Sequence, residues 1–163
     1  MASSSDNKAI YPSLRGKRVL ITGGGSGIGA GMVEGFVRQG ANVTFFDIAE
    51  EDSRALVAEL GGVGAEPHFE RVDLTDIKAM QATIVRLVEE GGPFDVLVDN
   101  AANDDRHTID QVTEEYWDNR INVNLKHLFF CAQSVIPGMR ERGGGAIINL
   151  GSISWHLGMA DLA

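Results

Sequence analysis

Much that would point to a disulfide framework, a nucleic-acid surface or a membrane anchor is missing from this chain. It holds one cysteine, Cys131, in 163 residues, which excludes an internal disulfide and fits a cytoplasmic location. Cys131 lies in an apolar helical stretch and reads as an inert core residue. Lys and Arg total 14 against 23 Asp and Glu, for a net charge of −9. The basic face that duplex DNA, RNA or an anionic membrane would need is therefore absent, and none of these is an expected partner. No apolar run reaches the ~18 residues of a spanning helix. The polar start, with Ser3, Ser4, Ser5, Asp6 and Asn7, lacks the apolar stretch of a signal peptide. Residues 1–15 read as a flexible tail and 16–163 as one domain. His68, His107, His127 and His156 do not share ligand spacing, so no metal site is expected.

Glycine, in contrast, is plentiful. Twenty of the 163 residues are glycine, about 12% against a usual ~7%, and they punctuate an alternation of short β-rich runs and longer helical patterns. Strands are expected at 17–22, 42–47, 68–73, 94–100 and 146–150. Helices are expected at 27–39, 50–60, from Thr75 as cap to 90, and at 113–142 with a kink near Pro137. On the last helix, Ile121, Leu125, Leu128 and Phe129 form the expected core stripe, with the other face left for a subunit interface. Strands alternating with helices imply βαβ units and a parallel, doubly wound α/β sheet of the Rossmann type. The expected strand order is 3-2-1-4-5, incomplete at the C-terminus. Ligands of such sheets bind beyond the carboxyl ends of the strands.

The first of those ends carries Thr22-Gly23-Gly24-Gly25-Ser26-Gly27-Ile28-Gly29. Glycines there permit a tight turn and a close approach to a pyrophosphate, and the following helix start offers free N–H groups. Asp47 closes the second strand, about 20 residues past the octet, where a carboxylate takes the ribose hydroxyls of NAD and repels the extra phosphate of NADP. The expected cofactor is NAD. Asp73-Leu74 and Asn100-Ala101-Ala102 fall at the next two strand ends and fit one extended dinucleotide.

These motifs, with Asn124 in Val-Asn-Leu and Ser152 after Ile-Ile-Asn-Leu-Gly, resemble the short-chain dehydrogenase/reductase family over residues 17–152. The resemblance implies that Gly23, Ser26, Gly27 and Ile28 hold the pyrophosphate and that Asp73 and Leu74 meet adenine. It also implies that Asn100, Ala101 and Ala102 line the cofactor. The family's Asn-Asn-Ala-Gly run reads Asp99-Asn100-Ala101-Ala102 here, a departure at Asp99 and at Ala102. Ser152 matches the family's serine on the substrate oxygen, and Asn124 its helix asparagine that orients a proton-relaying water.

The runs Asn103-Asp104-Asp105-Arg106-His107 and Gly151-Ser152-Ile153-Ser154-Trp155-His156 resemble the sugar-oxidising members of that family. They imply oxidation of an aldose, D-xylose first, at its anomeric carbon to the aldonolactone. By position, Asn103, directly after the cofactor-lining residues, is a candidate to bond a sugar hydroxyl, and Trp155 a candidate to stack on a sugar face. The family's Tyr and its Lys four residues on would fall beyond Ala163, so the resemblance implies an N-terminal part that is inactive alone, from an enzyme that forms tetramers. Two alternatives stay open at this point: a non-catalytic NAD(H)-binding module, and a short-chain reductase acting on another alcohol or ketone.

Overall fold

The computed structural model describes residues 9–154 and 156–158. Five strands, β1 (Arg18–Thr22), β2 (Asn42–Asp47), β3 (His68–Arg71), β4 (Val96–Asp99) and β5 (Ala146–Asn149), form one sheet in the order β3-β2-β1-β4-β5. All four pairings are parallel, as right-handed βαβ crossovers require. The helices are α1 (Gly27–Arg38), α2 (Glu50–Glu59), α3 (Ile77–Gly91), α4 (Glu114–Ile121) and α5 (His127–Glu141).

The pleat sorts the strand side chains into two cores. Val19, Ile21, Val43, Phe45, Val96 and Val98 face Val33 and Val37 of α1 and pack with Leu56 and Val57 of α2. Leu20, Phe46 and Leu97, on the alternate positions, face Met80, Ile84 and Leu87 of α3 and Cys131, Val135 and Met139 of α5. Successive strand residues point to opposite faces, so the unalternated apolar runs of β1, β2 and β4 suit strands buried on both faces, whereas β5 is exposed throughout.

Three expectations change. The cap of α3 is Asp76, whose carboxylate accepts the Ala79 N–H at 3.0 Å; Thr75 instead donates its N–H and hydroxyl to Asp73, at 2.9 and 2.7 Å. The expected tail is anchored over its described part. Residues Pro12–Leu14 form a 3₁₀ turn, and the Gln39 amide accepts the Tyr11 N–H at 2.7 Å and donates to the Ala9 carbonyl at 3.0 Å.

The third change concerns the long helix, which is interrupted by a π-turn at Asn122–Lys126. The stripe it buries is His127, Cys131, Val135 and Met139, while Ile121, Leu125 and Phe129 are exposed, Phe129 by 66%. The helix is apolar on two faces. The face against the sheet is the one that begins with a histidine, which an apolar pattern passes over. Pro137 lies within α5.

Candidate active site

A groove of about 580 Å³ runs along the carboxyl ends of β1 to β4. Its walls bring together Gly23, Ser26, Ile28, Asp47, Asp73, Leu74, Asn100, Ala101, Ala102 and Asn103, ten of the residues singled out from the sequence. Gly29, Ile48, Val72, Thr75, Asp104 and Val123 also line it. Each of these belongs to a quoted motif or is the immediate chain neighbour of a motif residue, Val123 preceding Asn124.

The floor is built by close backbone packing. Gly23 has φ +66°, and a Cβ there would lie 2.7 Å from the Ala101 Cα. A Cβ on Gly29 would overlap the Gly23 carbonyl. Only glycine fits either place. Ser26 is the N-cap of α1 in extended conformation, and its side chain makes no capping bond. The first N–H groups of α1 therefore open onto the groove, together with the positive end of the helix dipole. This cradle suits the pyrophosphate of a dinucleotide.

Thr22 opens the octet but had no expected role of its own, and it holds two strand ends together. Its buried hydroxyl oxygen accepts the N–H groups of Asn100 at 3.0 Å and Ala101 at 3.2 Å. The Asn100 side chain donates back to the carbonyls of Thr22 and Gly23, at 3.0 and 2.8 Å. A hydroxyl closing an apolar strand just before a glycine turn is the signal that marks it.

Two carboxylates sit on the opposite wall. Asp47 accepts the Gly25 N–H at 2.8 Å and the Ala49 N–H at 2.9 Å. Ser53 is buried behind it and donates to the Ala49 carbonyl at 2.7 Å. Asp73 is held below the usual carboxylate range, chiefly by the Thr75 hydroxyl and then by the Thr75 N–H. Both carboxylates are thus fixed before any ligand arrives.

Asn124 sits in the π-turn and ties the next loop to the helix. Its amide oxygen accepts the Asn103 N–H at 2.7 Å, and its amide nitrogen donates to the Asn103 carbonyl at 3.1 Å. The Asn103 side-chain oxygen accepts the Asp105 N–H at 3.1 Å. Further along the loop, the Tyr116 hydroxyl and His107 Nδ1 are 2.8 Å apart, and Arg120 lies over the Tyr116 ring and pairs with Asp105 at 3.3 Å. Ser152 is exposed just after β5, 2.6 Å from the Ser154 hydroxyl. Gly27, Asn124 and Ser152 do not line the groove wall itself. Trp155 lies outside the described residues.

A glycine-floored groove at the carboxyl ends of a 3-2-1-4-5 parallel sheet, with acids at or just past the ends of β2 and β3, is the architecture of the Rossmann class of α/β proteins. The profile described as short chain dehydrogenase matches residues 17–163, and the chain belongs to that family. It is similar to the D-xylose 1-dehydrogenase of Caulobacter vibrioides, with 62% identity over 156 residues, covering 96% of this chain and 61% of that protein. It is also similar to a protein of Rhizobium meliloti named as a probable galactose dehydrogenase, with 49% identity over 153 residues, 93% of this chain and 60% of that one. Among solved structures, an NADH-dependent reductase complexed with NAD superposes with a TM-score of 0.83 at 27% identity, covering 92% of this chain and 65% of that one. The chain thus spans about three fifths of the length of the two curated relatives.

Proposed function

We propose that the groove binds NAD(H), and that a protein built on this chain to the length of its relatives oxidises an aldose, D-xylose first, at the anomeric carbon to the aldonolactone. The observation that carries the cofactor half is Asp47, whose carboxylate is already fixed on the groove wall by two backbone N–H groups. A charge there accepts the two hydroxyls of an adenosine ribose and repels a 2′-phosphate, which favours NAD over NADP. Asp73 and Leu74 flank the adenine in this reading, the first turn of α1 from Ser26 through Gly27 to Ile28 takes the pyrophosphate, and Asn100, Ala101 and Ala102 line the nicotinamide half. Held there, NAD would supply the hydride acceptor for the anomeric C–H as the hydroxyl oxygen becomes the lactone carbonyl, with the hydroxyl proton passing to a base that these 163 residues do not include.

The remaining roles belong to the chain's own side chains. The Ser152 hydroxyl donates to the substrate oxygen. Asn124 acts through the loop: by gripping the backbone of Asn103 it fixes the wall on which the Asn103 amide nitrogen meets a sugar hydroxyl. Tyr11 and Tyr116 have no lysine four residues on, so these 163 residues hold no Tyr-x-x-x-Lys pair to take the proton. Dinucleotide binding is accordingly the property proposed for the chain itself, and turnover for the longer protein. The exposed face of Ile121, Leu125 and Phe129 supports association of copies through this helix, in line with the tetramer expected from the resemblance.

The test is NADH formation by the longer protein with NAD and a panel of D-xylose, D-galactose and L-arabinose. Oxidation of D-xylose with NAD preferred over NADP is the expected result. NADH binding without oxidation of any sugar would support the binding-module alternative, and oxidation of only non-sugar alcohols the reductase alternative.

A further inference from the structure

Asp99 is the last residue of β4, in register with Thr22 of β1 and Asn149 of β5. The pleat turns it, like Leu97, toward the core shared with α3 and α5. It is 1% exposed, and neither carboxyl oxygen has a hydrogen-bond partner of ordinary geometry among the described residues, although the Cys131 thiol lies close enough to act on it. An ionised carboxylate in such a place is strongly disfavoured, so the side chain needs either a cation or a proton.

Among the described residues no cation acts on it. Thr22 and Asn149, its register partners, do not titrate. From α3 the near group is Met80, whose sulfur lies 3.3 Å from the Cys131 sulfur. From α5 come Cys131 and, one turn nearer the groove, His127. Burial raises the Cys131 thiol far above its ordinary range, with Asp99 adding to the rise, so it stays neutral. Burial lowers His127, opposed in part by the Val123 carbonyl, so its fully enclosed ring stays uncharged at neutral pH. What remains is the proton: burial, partly offset by the Cys131 thiol, pushes the Asp99 carboxyl up to about 7.

The next residue is Asn100, which lines the groove and is bonded through its N–H and side chain to Thr22 and Gly23. Asp99 is therefore both the end of a core strand and the root of the turn at residues 100–102. We propose that Asp99 is a proton-gated positioning residue for this groove: as the neutral acid it seats the end of β4 on α5, and on ionising it displaces the turn at residues 100–102 and weakens dinucleotide binding. The proposal rests on the dinucleotide reading of the groove.

The sign follows from linkage. The folded state holds the Asp99 proton more tightly than the unfolded state, so this group's effect is to lower stability as pH rises from about 4 to about 7, with no further change above. The test compares the chain with Asp99→Asn between pH 5 and pH 8, by thermal unfolding and by NADH titration. The expected result is that the wild-type midpoint falls by roughly 5–10 °C relative to the variant over that range. NADH affinity of the wild type should fall by about threefold or more relative to the variant, whose pH profile lacks this component.

Parallel profiles for the two proteins, with NADH bound by both, would overturn the proposal and leave the groove reading standing. Failure of both to bind NADH at any pH would overturn the groove reading itself. Should the asparagine variant not fold, Asp99→Leu makes the same comparison with an apolar side chain of similar size.

Discussion

Replacing Asp47 with alanine isolates the cofactor argument. The carboxylate now accepts two backbone N–H groups, from Gly25 and Ala49. Gly25 is buried and Ala49 half-buried, so losing these bonds is expected to lower stability by about 1–3 kcal/mol in a chain that still folds. The larger loss is in binding. Two ribose hydroxyls donating to a charged acceptor are each worth about 1.5 kcal/mol or more, which makes roughly 3 kcal/mol together. At 1.4 kcal/mol per factor of ten, NADH affinity is expected to drop by roughly 100-fold. NADPH affinity is expected to hold or rise, because the charge that repels its 2′-phosphate is gone. Fluorescence titrations of both nucleotides at one ionic strength read this out, with a melting curve as the control for folding. NADH affinity within about threefold of wild type, in a variant that still melts cooperatively, would refute the assignment of Asp47.

Other perturbations test the frame around the groove. Thr22→Val removes the acceptor for the Asn100 and Ala101 N–H groups. It is expected to lower stability by about 2–3 kcal/mol in denaturant titration and to weaken NADH binding with it. Gly29→Ala drives a methyl group into the Gly23 carbonyl. The expected outcome is loss of NADH binding, checked by calorimetry, in a chain whose circular dichroism still shows helix and sheet. Phe46→Ala empties a fully buried site between β2 and α3 and should cost about 3–5 kcal/mol, seen as a lower denaturation midpoint.

The sheet was legible because its signals are local and repeated. Most strands are short apolar runs closed by glycine, Asp or Asn, β3 (His68–Arg71) being the exception, and each crossover is a helical stretch of ordinary length, so parallel pairing and crossover handedness followed from general rules, while the strand order is the one expected of a Rossmann-type sheet. The groove was legible for the same reason, since a parallel sheet gathers its strand ends on one edge. What escaped was decided by contacts between distant segments. Asp76 rather than Thr75 caps α3 because the helix starts at Ile77 and the Asp76 carboxylate reaches the Ala79 N–H, while the Thr75 side chain turns back to Asp73. The α5 face was misread because burial there includes His127, while the apolar Ile121, Leu125 and Phe129 stay outside. Thr22 and Ser53 look like ordinary strand and helix residues until their hydroxyl partners, Asn100 and Ala49, are brought close. Asp99 stood out as an unexpected acid in the sequence, but only its burial shows that it has no counter-charge.

The most direct check on the account is a crystal structure of the chain grown with NAD. The account predicts the dinucleotide along the β1–β4 ends, with its pyrophosphate on the N–H groups at the start of α1, its adenosine ribose on Asp47 and its adenine beside Asp73 and Leu74. A dinucleotide bound elsewhere, or one whose ribose does not reach Asp47, would contradict it.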